Sequence, residues 1–334
     1  MKKHVFFAAF GLGCWLFISS ASVSFAAHVY KIASLAPEGS VWVTAFRAFA
    51  EEVDRNTAGE VKFKIYPGGI MGDDRAMYRK MRAGQLHGGG FTMTGAAEFV
   101  PDFRIMAIPF LFKSYDEVDY VREQLLPYLK GQFSNKGIEL IAMTEVGFIY
   151  TFSAKPRTTI EELQDGKTWA PSNDPLTATF LQSIDISPIT LTIPDVLSSL
   201  QTGLIDTAFN SLYGSIVLQW FTKAPYVTDQ PYGYAYGCFS MSTRSLAKLN
   251  PEQLRVIENA AQTHFSELLK STRQSNIDSR AVLAQQGVSF VKTSPEIVAR
   301  LESHRDKTIA RVKGKSFSET AYDKLEAALN SYRN

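Results

Sequence analysis

Met81-Arg82-Ala83-Gly84-Gln85-Leu86-His87-Gly88-Gly89-Gly90-Phe91 has a counterpart later in the chain, Leu200-Gln201-Thr202-Gly203-Leu204-Ile205-Asp206-Thr207-Ala208-Phe209-Asn210. Each stretch reads as a helix end, a glycine suited to the left-handed cap, and then a strand of small residues. The copies lie too far apart for a solenoid repeat. They fit two similar α/β lobes, each strand delivering a loop to the same kind of place. Ligands of open α/β sheets sit beyond the carboxyl ends of the strands. Thr92-Met93-Thr94 and Asn210-Ser211-Leu212-Tyr213 are therefore expected to face each other as two cleft walls.

Upstream of the first copy, Val29 to Ala33 reads as a strand leading into the loop Leu35-Ala36-Pro37-Glu38-Gly39-Ser40. Val41, Trp42, Ala45, Phe46, Phe49 and Val53 then recur at helical spacing, which assigns Trp42 to the helix core. Val61, Phe63 and Ile65 alternate with Lys62 and Lys64 as a strand with one wet face, closed by Pro67-Gly68-Gly69. Strand, helix and strand in that order favour an α/β sheet with right-handed crossovers. Asp73-Asp74 stands at the start of a helix and reads as its cap, with Arg75 serving that local charge pair.

Beyond the second copy, Pro251-Glu252 opens a long helical pattern running towards Gly287, about 50 Å at 1.5 Å per residue and enough to lie across both lobes. Pro295 opens another helical stretch, and Phe317 to Tyr332 closes the fold. Residues 27–150 are expected to form mainly the first lobe and residues 151–240 mainly the second. Residues 241–334 form a helical region bracing both, so that the lobes are discontinuous in sequence.

The first residues set the compartment. Lys2, Lys3 and His4 precede an uncharged run from Val5 to Ile18, and small residues at Ser24 and Ala26 suit a signal peptidase. The expectation is a cleaved signal peptide, residues 1–26, and a periplasmic protein. Of the 2 cysteines in the chain, Cys14 falls in that run, so Cys238 is left without a disulfide partner. The chain carries 35 basic and 33 acidic residues with 45% hydrophobic residues. That balance gives a globular core and argues against nucleic acid as a partner.

Phosphate loop, His-Glu-x-x-His and Gly-x-Ser-x-Gly motifs are all absent, and the histidines lack metal-ligand spacing. No catalytic residue, metal or cofactor is expected. An exported enzyme, or a ligand sensor coupled to a membrane kinase, is the alternative class.

Ala36-Pro37-Glu38-Gly39-Ser40, Tyr66-Pro67-Gly68-Gly69, Pro109-Phe110-Leu111-Phe112, Leu200-Gln201-Thr202-Gly203 with Asp206, and Asn210 fall in one family's order and spacing. On these residues the chain resembles the solute-binding receptors of tripartite ATP-independent periplasmic (TRAP) transporters, dicarboxylate-receptor type. The resemblance implies a two-lobed periplasmic binding protein fold with a long helix spanning both lobes, closing around one small-molecule solute. It also implies delivery to a membrane permease with a small and a large subunit, driven by an ion gradient.

The chain departs from that pattern at the site. Family members carry an arginine two residues before a proline of this segment, where it clamps a substrate carboxylate; here Trp169 holds that position. A second frequent arginine follows a Gly-Phe pair, and here Gly147-Phe148 is followed by Ile149. Phe209 replaces the acidic or polar residue before the family's asparagine, Asn210. An indole offers one N–H donor and a broad apolar face in place of a planar fork of donors. The expected solute is therefore not held as an ordinary carboxylate: it is aromatic, neutral, or an amine cradled by aromatic faces with Glu38 nearby. Thr92, Thr94, Asn210, Tyr213 and Tyr236 complete the expected site; whether another arginine replaces the missing clamp is left open, with Arg104 the one to watch.

Overall fold

The computed structural model describes residues 27–334; the expected signal peptide lies outside them. The chain begins β1 (His28–Ser34), α1 (Val41–Asn56), β2 (Val61–Tyr66), α2 (Asp74–Arg82), β3 (Gly88–Thr92) and α3 (Met93–Ala96). A 3₁₀ segment, Pro101–Ala107, leads to α4 (Tyr115–Ser134) and the long β4 (Ile138–Ser153). Next come α5 (Ile160–Gln164), β5 (Trp169–Pro171), α6 (Pro175–Ser183), β6 (Ile189–Leu191), α7 (Ile193–Thr202), β7 (Thr207–Asn210) and α8 (Leu212–Val217). The chain closes with β8 (Tyr226–Thr228), β9 (Gly233–Ser242), α9 (Thr243–Leu246), α10 (Pro251–Gln285), β10 (Ser289–Val291), α11 (Pro295–Val312) and α12 (Glu319–Arg333).

The repeated motif folds as its sequence dictates. Gly84 and Gly203 take φ of 74° and 71°, the left-handed region that stops α2 and α7 and turns the chain into β3 and β7. In β3 the glycines admit close neighbours. A Cβ on Gly88 would stand 2.5 Å from the Ser240 carbonyl oxygen, and one on Gly90 would stand 2.9 Å from the Phe46 ring.

β1 lies between β2 and β3, parallel to both, and β3 pairs antiparallel with β9. β4 runs antiparallel beside β9 from Ile138↔Ser242 to Ile149↔Gly233, then pairs with β7 and β8 over Tyr150 to Ser153. The two strands β4 and β9 thus carry the chain from one lobe into the other, and the molecule is a two-lobed α/β fold. One apolar cluster packs Phe46 and Phe49 of α1 against Ile257, Phe265 and Leu268 of α10. Another gathers Trp169, Phe180, Ile205, Trp220 and, from the far end of α10, Leu283. The 35-residue α10 therefore spans both lobes, as expected.

Two local expectations are corrected. Trp42 is not core: the buried face of α1 is Val43, Phe46, Phe49 and Val53, and Trp42 turns towards the cleft. Asp73 caps α2 by accepting from the Ala76 amide at 2.8 Å, but Arg75 reaches across to Glu98, 3.7 Å away, instead of serving the pair.

Candidate functional site

Between the lobes lies a cavity of about 210 Å³. The first lobe contributes the β1 exit loop from Ser34 to Pro37, the start of α1, and the end of β3 with α3. The second contributes β5, the start of α6, and the β7–α8 turn. These are the carboxyl ends of parallel strands and the helix starts that follow them, where α/β sheets present ligand contacts. Hydrogen bonds cross the cleft: Asn173 Nδ2 donates to Glu98 Oε1 at 2.9 Å, and the Val41 amide donates to the Tyr213 hydroxyl at 3.1 Å.

Seven of the nine expected site residues line this cavity: Thr92, Thr94, Ile149, Trp169, Phe209, Asn210 and Tyr236. Their polar atoms are engaged to different degrees. Trp169, 3% exposed, donates its indole N–H to the Leu191 carbonyl at 3.0 Å and meets Trp220 edge-on at 5.3 Å. It therefore presents the cavity with ring surface and no free donor. Phe209 stacks on Tyr232 with ring centres 4.5 Å apart.

The Tyr236 hydroxyl is turned away, donating to the Phe103 carbonyl and accepting from the Met106 amide, and burial pushes it above the ordinary tyrosine value. Thr92 caps α3 through the Gly95 amide and donates its hydroxyl to Asp74 Oδ2 at 2.7 Å. Asn210 accepts from the Ser211 amide through Oδ1, leaving its amide nitrogen without a protein acceptor among the described residues. Gly214 makes that possible, since a Cβ there would stand 2.3 Å from Asn210 Oδ1. The hydroxyls of Thr94 and Thr144 are likewise uncommitted wall groups.

Glu38 and Tyr213 fall outside the lining. Glu38 is exposed on the loop and pairs with Arg47, with hydrogen bonds of 2.9 and 2.5 Å, and that contact holds its carboxyl below the usual range. Tyr213 packs on Trp42 and uses its hydroxyl on the α1 backbone. Arg104 is buried but is not a wall residue, and its Nη1 donates to the Ser316 carbonyl at 2.5 Å.

The wall holds groups that the sequence did not flag: Trp42, Phe91, Trp220, Tyr232, Tyr234 and Asp174. Among the described residues, Asp174 is the one acid in the lining, and no lysine, arginine or histidine lines the cavity. Its carboxylate caps α6, accepting from the Leu176 and Thr177 amides, each at 3.2 Å, and from the Thr177 hydroxyl at 2.6 Å. Its position after Pro171 and before Pro175 was a readable cap signal. Trp42 had none, because helical periodicity does not say which end of a buried stripe opens on a cleft.

Among the described residues no cluster of three or more His, Cys, Asp or Glu could hold a metal ion, and no helix is long and apolar enough to cross a membrane.

The fold is similar to that of the sugar acid binding protein DctPAm from Advenella mimigardefordensis in complex with galactonate. The TM-score is 0.86 at 18% identity, over 91% of this chain and 98% of that one. It is likewise similar to a TRAP periplasmic solute binding protein from Haemophilus influenzae with bound L-gulonate, with a TM-score of 0.83 at 17% identity, over 90% and 99% of the two chains. A solute-binding protein of Roseobacter denitrificans is 24% identical over 278 residues, 82% of this chain and 84% of its own. The model of bacterial extracellular solute-binding protein family 7 matches residues 32–315. The chain therefore belongs to this family, DctP, the solute-binding proteins of TRAP transporters.

Proposed function

We propose that the protein is a periplasmic receptor that captures one small organic solute by lobe closure and delivers it to a TRAP permease. The solute is held without an arginine–carboxylate pair and is aromatic, neutral or amine-bearing. Export with cleavage after Ala26, and lobes divided near residues 150 and 240 with a bracing helical region after them, belong to the same proposal. N-terminal sequencing of the exported protein checks the cleavage site.

One observation carries the solute class: among the described residues the cavity wall contains no cation, while its sides are the rings of Trp42, Trp169, Phe209, Trp220 and Tyr234. The relatives above were solved with galactonate and L-gulonate, both acids. A carboxylate moved into this cavity would lose its hydration, and no guanidinium would replace it, a cost of several kcal/mol. Ring faces instead reward apolar surface, at about 25 cal/mol per Å² buried, and attract cations held over them. Asn210, Thr94 and Thr144 supply the few directional contacts that such pockets use to orient a ligand.

A thermal-shift panel tests the assignment. Indole, phenethylamine and N-phenyl-1-naphthylamine should raise the melting temperature, and galactonate and L-gulonate should leave it unchanged. Stabilisation by the sugar acids alone would overturn it.

A further inference from the structure

We infer that Glu145 is a positioning residue that couples solute contact in the cavity to closure of the lobes; the inference rests on the receptor function proposed above. β4 and β9 are the strands that pass between the lobes, and their pairing slips twice, between Leu140 and Ala142 and again between Glu145 and Gly147; at the second slip Glu145 faces Tyr236, and the next pair is Gly147 with Ala235. The slip is built in. Gly147 takes φ of 104°, and a Cβ on it would stand 2.7 Å from Asn276 Nδ2 and 2.9 Å from the Tyr115 hydroxyl. Extra residues of this kind bend a strand and increase its twist, so the two-strand crossing bends here.

Glu145, at that point, is fully buried and gathers contacts from three directions. From the cavity wall beyond the slip, the Tyr234 hydroxyl donates to Oε2 at 2.8 Å. From the start of α1, the Trp42 indole N–H donates to the Glu145 backbone carbonyl at 2.7 Å. From the bracing helix α10, Arg273 donates to Oε1 at 3.0 Å through Nε and to Oε2 at 2.8 Å through Nη2. Arg273 also bonds both oxygens of Asp119 on α4, at 2.8 and 2.5 Å, and stacks on Tyr115. Arg122 stands 4.0 Å from Glu145 Oε2.

Two wall rings, one on α1 and one on β9, are thus tied to one residue, and that residue is tied to the helix that spans both lobes. A solute resting on Tyr234 and Trp42 holds their hydrogen bonds in place. Those bonds hold the slip, and with it the angle between the lobes. A buried carboxylate with this many charged and hydrogen-bonding partners has few alternative arrangements, which is what a two-state coupling element requires.

The test uses the full mature protein with Arg55→Cys on α1 and Lys223→Cys beyond α8, both exposed, as spin-label sites; Cys238 is buried and stays unlabelled. The distance distribution is measured with and without saturating N-phenyl-1-naphthylamine, and the probe's Kd is measured by fluorescence. In the otherwise unmodified protein the probe should shift the population to the shorter distance. Tyr234→Phe keeps the ring on the wall and removes the hydroxyl. It should weaken the probe's Kd by about fivefold or more, the range of coupling between linked sites, and lower the closed fraction at saturation. Glu145→Gln should do the same alone and add little when combined with Tyr234→Phe.

A closed fraction at saturation equal to that of the parent protein in both variants would overturn the inference, even with a lowered melting temperature. Independent, multiplying effects on Kd would also overturn it. If the parent protein neither binds the probe nor closes on it, the apolar-solute proposal fails. Glu145 is then judged on the unliganded distributions, which both variants should broaden towards the open distance and which would contradict the inference if unchanged.

Discussion

Trp169 shows how one side chain sets the chemistry of a cavity wall. The strand β5 runs parallel to β6, and the side chain that points into the cleft spends its only donor on the Leu191 carbonyl. Trp169→Phe keeps an aromatic face and leaves that carbonyl without its partner. A stability loss of about 1 kcal/mol is expected in urea denaturation. Trp169→Ala removes the ring from a cluster that includes Trp220 and should cost roughly 3–5 kcal/mol. At Gly214 an added methyl group would meet Asn210. Gly214→Ala should therefore cost about 1–3 kcal/mol and weaken solute binding, measured by denaturation and by titration of N-phenyl-1-naphthylamine. That Trp169 and Ile149 line the cleft was legible in the sequence, since it needed only alignment to a proline and a Gly-Phe pair. The engagement of the Trp169 and Tyr236 polar atoms was not, because their partners, Leu191, Phe103 and Met106, are set by packing between distant segments.

The elements that carry the site were readable where local chemistry decides them: a left-handed glycine after α2 and α7, a cap before α2 at Asp73, and a long helix α10. What local chemistry leaves open is which neighbour a cap residue finds. Asp74 opens α2, yet its carboxyl lies over the β3–α3 turn, accepting from the Thr92 amide at 3.1 Å and the Thr92 hydroxyl at 2.7 Å. Burial raises it from 3.8 to about 6, and the Thr92 hydrogen bonds offset only part of that rise. The folded protein thus holds this proton more tightly than the unfolded chain does. Its contribution to stability is full below pH 4 and is lost as the pH rises through about 6, a change of about 3 kcal/mol. The Asp74→Asn variant should show a flatter dependence of melting temperature on pH between 4 and 6 than the parent protein. Parallel curves would place the titration elsewhere. Glu38, expected in the site, shows the opposite limit: an exposed loop acid finds the nearest exposed arginine, Arg47, and the cavity goes without it.

At the scale of the molecule, two lobes joined by β4 and β9 and braced by α10 enclose an aromatic chamber whose wall, among the described residues, holds no cation. The lobes, the cleft and its two principal walls followed from a repeated helix–glycine–strand pattern. The breadth of the aromatic lining did not, since Trp42, Phe91, Trp220 and Tyr234 come from elements whose own periodicity is fully explained by core packing. The receptor scaffold and the ligand chemistry are separable in this family fold: shape and hinge come from long-range pairing, and selectivity comes from a few side chains at strand ends. The decisive measurement is a crystal structure of the protein with its natural solute. The solute should be seated among Trp169, Phe209 and Tyr234, with no arginine nitrogen in hydrogen-bonding distance of it. A deprotonated acid in the chamber, paired with an arginine such as a repositioned Arg104, would contradict it.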